Sequence, residues 1–170
     1  MMSTVAILIT DMFEDEEYTV PTTAFDKTGH FIVHVGLKAG NIVNGKKRET
    51  PVKIDKSIDK VSVDDFDALY IPGGYSPDKL RVHDQVVDFV SEFFKKEKPV
   101  FSICHGPQLL ITADVLKGKK VTGWKSIKKD IENAGATYID QEVVVDDNLV
   151  SSRSPDDLPA FVDETLKKLK

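Results

Sequence analysis

A disulfide framework is excluded at once, because the 170 residues contain a single cysteine, Cys104. Basic charge is also short. The 23 Lys and Arg stand against 28 Asp and Glu, a net charge of -5, which offers no broad surface for nucleic acid. The apolar runs fall well below the about 18 residues that a membrane span needs. No repeat, low-complexity tract or Pro/Ser-rich linker divides the chain, so one domain over residues 1–170 is expected. Met1-Met2-Ser3-Thr4 runs into an apolar strand without the basic and apolar regions of a signal peptide, and the expected location is the cytoplasm. His30, His34 and His83 read as strand or surface residues, and no metal-ligand spacing appears among them.

What is present is an alternation of short apolar runs with amphipathic segments. Val5 to Thr10, Phe31 to Val35, Ala68 to Ile71 and Val100 to Ile103 are rich in β-branched and aliphatic residues, the pattern of strands buried on both faces. Helical periodicity follows over about 17–27, 85–96, 107–113 and 127–134, and a closing helix starts near Pro155. Residues 42–56 suggest a hairpin around Asn44-Gly45, and 142–152 suggest a second one. The alternation predicts an α/β fold with a mostly parallel central sheet and helices on both faces. Ligands of such sheets gather at the carboxyl ends of the strands. Three segments fall there: the acidic loop Asp11 to Glu17, the Pro72-Gly73-Gly74 turn, and Cys104.

A solitary cysteine is most often a buried, inert residue. Cys104 differs by position, because it ends a buried strand and stands just before a helix that opens with Pro107. Helix N–H groups and the helix dipole favour a thiolate there, and Gly106 permits a sharp reversal of the chain. His105 is placed to exchange a proton with the sulfur. Asp11, Glu14, Asp15, Glu16 and Glu17 are explained mainly as acids complementing a helix start, yet one of them can point back toward Cys104 as a buried, protonated carboxyl. A glycine of the Gly73-Gly74 pair can offer a bare N–H to the site. Arg153 reads equally as an anion contact or as a salt bridge, and Trp124 and Phe101 as core or interface residues.

Phe13-Glu14-Asp15, Ile71-Pro72-Gly73-Gly74, Ser102-Ile103-Cys104-His105-Gly106-Pro107-Gln108, Asn133-Ala134-Gly135-Ala136 and Val150-Ser151-Ser152-Arg153 occur in this order. Together they resemble the PfpI family, small cysteine proteins related to the parkinsonism-linked protein deglycase. The resemblance implies a flavodoxin-like sandwich that forms a homo-dimer or higher oligomer. It implies Cys104 as nucleophile, His105 as its neighbour in the peptidase-like branch, Glu14 as the glutamate bonded to the sulfur and Gly74 as the oxyanion-hole glycine. Asp78 matches an acidic residue, commonly glutamate, that reaches the histidine of an adjacent subunit. The activity implied is cofactor-independent chemistry on reactive carbonyls, of glyoxalase or deglycase type, with small carbonyl compounds or glycated protein and peptide as substrates. The alternatives are an intracellular cysteine peptidase and a non-enzymatic redox sensor or holdase.

Overall fold

In the computed structural model, which describes residues 2–169, the chain opens with strand β1 (Thr4–Leu8), helix α1 (Asp15–Lys27) and strand β2 (Phe31–Gly36). A hairpin of β3 (Ile42–Asn44) and β4 (Pro51–Lys53) and the short strand β5 (Lys56–Ser57) follow. Then come β6 (Ala68–Ile71), α2 (Ser76–Leu80), α3 (Asp84–Lys95), β7 (Val100–Ile103) and α4 (Pro107–Thr112). The chain closes with β8 (Lys120–Val121), α5 (Lys128–Asn133), β9 (Thr137–Tyr138), β10 (Val144–Asp146), β11 (Leu149–Ser152) and α6 (Leu158–Lys168).

The central sheet has the order β10-β11-β7-β6-β1-β2-β5 and is parallel except for the β10–β11 pair. Side chains alternate across it as the pleat requires. Ala6, Leu8, Leu69 and Ile71 face one core beneath α3 and α4, with Val86, Val90, Phe93, Leu109 and Leu110. Val5, Ile7, Tyr70, Phe101 and Ile103 face the other, beneath α1 and α6, with Phe25, Leu158 and Phe161. Each such side chain contributes about 1.5–3 kcal/mol on leaving water, which is what holds both helical layers on the sheet. The expected α/β architecture is therefore the one observed. Among the described residues no helix is long and apolar enough to cross a membrane.

From β1 the chain moves outward to β2 and β5, then returns to β6 on the opposite side of β1. Connections diverge at that point, leaving a crevice beyond the carboxyl ends of β1, β6 and β7. Two departures from the sequence reading shape its wall. Helix α1 starts at Asp15, earlier than expected, and carries Pro21 inside. Proline has no N–H to return to the carbonyl of Glu17. The buried Tyr70 hydroxyl of β6 donates to that carbonyl instead, tying the first turns of α1 to the sheet. The β3–β4 hairpin is also not closed tightly at Asn44-Gly45, because residues 45–50 bond elsewhere. Lys46 N–H donates to the Phe13 carbonyl, and the Asp15 carboxylate accepts from Lys47 and Glu49 N–H.

Candidate active site

Each of the three inner strands ends in a residue with a left-handed backbone: Met12 beyond β1 (φ 69), Gly74 beyond β6 (φ 75) and Cys104 directly after β7 (φ 59). Such a conformation costs a non-glycine residue about 1–3 kcal/mol and persists where surrounding bonds enforce it. At Cys104 they do, since its N–H donates to the Ser152 carbonyl (3.0 Å) and its own carbonyl accepts from Trp124 N–H (2.8 Å). The strained residue of the elbow is thus the cysteine itself. Gly106, expected to make the reversal, has an ordinary helical backbone. A Cβ at Gly106 would lie 2.6 Å from the Ser102 hydroxyl, so glycine is needed there for space.

The sulfur meets three kinds of group. The backbone N–H groups of Gly74 and His105 are turned toward it and favour the anion. The His105 ring approaches with Nδ1 at 3.4 Å, and its Nε2 lies 3.4 Å from the Ser126 hydroxyl. The third group is the carboxyl of Glu17, which is fully buried. Its Oε1 accepts from Gly73 N–H at 2.9 Å, its Oε2 has no hydrogen-bond partner, and the Cys104 thiol is the side chain close enough to influence the carboxyl. Gly73 is the spacer between them, because a Cβ there would lie 2.4 Å from Glu17 Oε1 and 2.8 Å from Cys104 Cβ.

Burial governs the electrostatics. Glu17 is pushed from 4.5 up to about 8, first by loss of water and then by the charge of Glu14. Burial also pushes the Cys104 thiol up, and an ionised Glu17 would push it further, against the pull of the His105 and Gly74 N–H groups. This reverses the expectation of a thiol lowered by the helix that follows. That helix is short, and desolvation outweighs it. The two acids titrate as a coupled pair in which the first anion formed opposes the second. His105 is held below its usual value by burial and by the positive charge of Lys46, so its ring is neutral at pH 7.

Around these groups lies a cavity of about 400 Å³, lined by Glu14, Glu17, Lys46, Gly74, Tyr75, Cys104, His105, Trp124, Ser126, Ser154 and Pro155. The loops that shape it are cross-linked. Tyr75 N–H donates to the Met12 carbonyl (2.8 Å), and Phe13 pairs with Gly74 as an isolated bridge. Comparison with known proteins then decides the family, since the DJ-1/PfpI description matches residues 3–168. The chain belongs to the DJ-1/PfpI family.

Three relatives from that family match end to end. "Putative cysteine protease YraA" of Bacillus subtilis is 55% identical over 100% of both chains. "Protein/nucleic acid deglycase 2" of Escherichia coli is 55% identical over 99% of each. "General stress protein 18" of Bacillus subtilis is 52% identical over 98% of this chain and 97% of its own length. Among solved structures, a two-domain protein from Anabaena variabilis with DJ-1/ThiJ/PfpI-like and ferritin-like domains superposes with a TM-score of 0.96 at 40% identity. The match covers 98% of this chain and 48% of that one. The flavodoxin-like architecture of DJ-1/PfpI proteins is therefore the fold of this chain as well.

Within this DJ-1/PfpI fold, Cys104, His105 and Gly74 converge as the residue pattern suggests, whereas Glu14 and Asp78 do not reach the sulfur and the imidazole. Glu14 caps the start of α1 in extended conformation and gives its carboxylate to Lys46 (3.2 Å) and Lys47 (3.6 Å) at the rim. Glu17, one turn further, occupies the buried stripe that continues with Pro21 and Phe25, which turns it inward. The spacing 17, 21, 25 was the signal available for it. Asp78 sits on α2 with its side chain 62% exposed, 3.8 Å from Arg81, and influences His105 only across a distance. Lys46 and Trp124, both in the cavity wall, are additions to the expected set. Arg153 is locked in a salt bridge, with Nε and Nη2 on Asp157 and Nη1 on Asp140.

Proposed function

We propose that this protein is a cysteine-dependent stress-protection enzyme that acts on reactive carbonyl compounds, in the manner of a glyoxalase or deglycase. The observation that carries the reading is the buried Glu17 carboxyl beside the Cys104 sulfur, a protonated acid at neutral pH where a carbonyl oxygen needs a proton. Relatives named deglycase and general stress protein support it. With methylglyoxal, the sulfur forms a bond to the aldehyde carbon, and the carbonyl π pair moves to oxygen near the Gly74 N–H. The oxygen takes the Glu17 proton and the thiol proton passes to the Glu17 carboxylate, giving a hemithioacetal with Glu17 again protonated. Neutral His105 can remove the C–H proton of that adduct and return it to the adjacent carbon while the hydroxyl proton passes, through Glu17, to the former ketone oxygen, which makes the thioester of lactate. Water then cleaves the thioester, releasing lactate and restoring the thiol. The sum is methylglyoxal plus water to lactate, with no net oxidation.

The test is aldehyde loss and lactate formation by the purified protein. Many equivalents of lactate per cysteine are expected, and stoichiometric aldehyde loss without lactate would sink the catalytic claim. The 3.4 Å approach of His105 Nδ1 to the sulfur also favours a cysteine peptidase, the activity in the name of the Bacillus subtilis relative. Asp78→Ala separates the two readings. Carbonyl turnover is expected within about twofold of the parent, because Asp78 touches neither sulfur nor imidazole. Peptide hydrolysis, if it uses Asp78 across a subunit boundary, is expected to fall at least tenfold in a fluorogenic peptide assay. Equal losses in both assays would remove the distinction.

A further inference from the structure

The β3–β4 hairpin delivers to the site a residue that the sequence pattern does not single out. Its connecting loop is pinned to the start of α1. Asn44 N–H bonds the Asp11 carboxylate (2.8 Å), and the almost fully buried Asp15 carboxylate accepts from Lys47 (2.9 Å) and Glu49 (3.2 Å) N–H groups. Gly45 is obligatory in this arrangement, since a Cβ would lie 2.4 Å from the Asp15 carboxylate. The loop so held projects Lys46 over the cavity mouth. Among the described residues lining the cavity it is the only lysine or arginine.

Its ammonium rests 3.2 Å from Glu14 Oε2 and 5.5 Å from the centre of the Tyr75 ring. Glu14 positions that charge, and shares its carboxylate with Lys47 at 3.6 Å, which also reaches Glu16 at 3.4 Å. The side chain is 38% exposed, so the ammonium can turn toward an incoming molecule. Its charge is felt at both Cys104 and His105. A cavity that holds Glu14 and Glu17 would otherwise resist any further negative charge.

We infer that Lys46 is the cation of this site: it balances the negative charge formed on the Cys104 sulfur, or on a carbonyl oxygen bonded to it, and favours electrophiles that carry a carboxylate. The inference rests on Cys104 being the reacting residue, as in the proposed function, but its test needs no carbonyl turnover. The experiment compares alkylation of Cys104 by neutral iodoacetamide and anionic iodoacetate at low salt. In both reactions the thiol gives its proton to solvent, sulfur bonds to carbon and iodide leaves. Lys46→Met is expected to slow iodoacetamide about tenfold and iodoacetate at least threefold more, with the difference shrinking as salt is added. Lys46→Arg is expected to restore both rates to within about threefold.

The Lys46 backbone N–H, which anchors the loop to Phe13, survives either substitution, and circular dichroism checks the fold. Unchanged rates in Lys46→Met would overturn the inference. So would equal losses for the two reagents, since a distorted site slows both alike. If the parent makes no lactate while the charge signature persists, the carbonyl reading fails and the role of Lys46 stands.

Discussion

Replacing Cys104 by serine is expected to lower carbonyl turnover by about a thousandfold or more while leaving the fold intact. Serine keeps the shape of the side chain but not its acidity or polarisability, and the surroundings of Cys104 supply no base strong enough to ionise an alcohol. Burial and the charge of Lys46 make the His105 imidazole a weaker base than usual, and Glu17 is itself protonated below about pH 8. The bonds that enforce the left-handed elbow run through backbone atoms, from Cys104 N–H to Ser152 and from Trp124 N–H to the Cys104 carbonyl. They do not depend on the sulfur. Thermal unfolding should therefore move by only a few degrees, equivalent to about 1 kcal/mol. Lactate formation and a melting curve measured on the same preparation check both halves. Turnover within tenfold of the parent would place the chemistry on another group of the cavity.

Much of the frame was legible because strand and helix obey different periods. Val5–Thr10, Ala68–Ile71 and Val100–Ile103 are short and apolar, and each forms a sheet strand within a residue or two of the expected limits. The convergence of the loops after β1, β6 and β7 then followed from topology. What was not legible depends on contacts between segments far apart in sequence. Glu14 and Glu17 are chemically alike, and apart from the faint 17, 21, 25 stripe it is the docking of α1 on the sheet that decides which one turns inward. Tyr70, across 53 residues, helps make that decision by bonding the carbonyl that Pro21 leaves free. Lys46 reaches the site because Asp11 and Asp15 hold a hairpin loop, and no spacing within that loop announces this. The left-handed backbone of Cys104 was likewise hidden, because glycine is the residue one expects to take it.

Glu17→Gln is expected to reduce turnover about a hundredfold and to make the protein more stable at pH 8. The amide oxygen can still accept the Gly73 N–H, so the geometry of the elbow survives. The proton at Oε2 is lost, and with it the acid that delivers a proton to the substrate oxygen and bonds the sulfur. Alkylation of Cys104, whose thiol an ionised Glu17 pushes further up, should in contrast shift to lower pH than in the parent. Stability moves the other way. The carboxyl titrates near 4.5 when unfolded and at about 8 when folded, so between those values the native state binds more protons. Folding stability must then fall as pH rises from about 4.5 to about 8, by on the order of a few kcal/mol, and level off above. Glutamine removes that slope, and the melting-temperature gap between variant and parent should widen steadily over this window. Glu14→Gln, by contrast, should keep most of the slope and only trim it, because burial is the larger cause of the Glu17 rise and the Glu14 charge the smaller one. Parallel stability curves for parent and Glu17→Gln would mean that Glu17 enters the native site already ionised. The sulfur would then lose its proton donor, and the proposed carbonyl chemistry would have to rely on His105 alone.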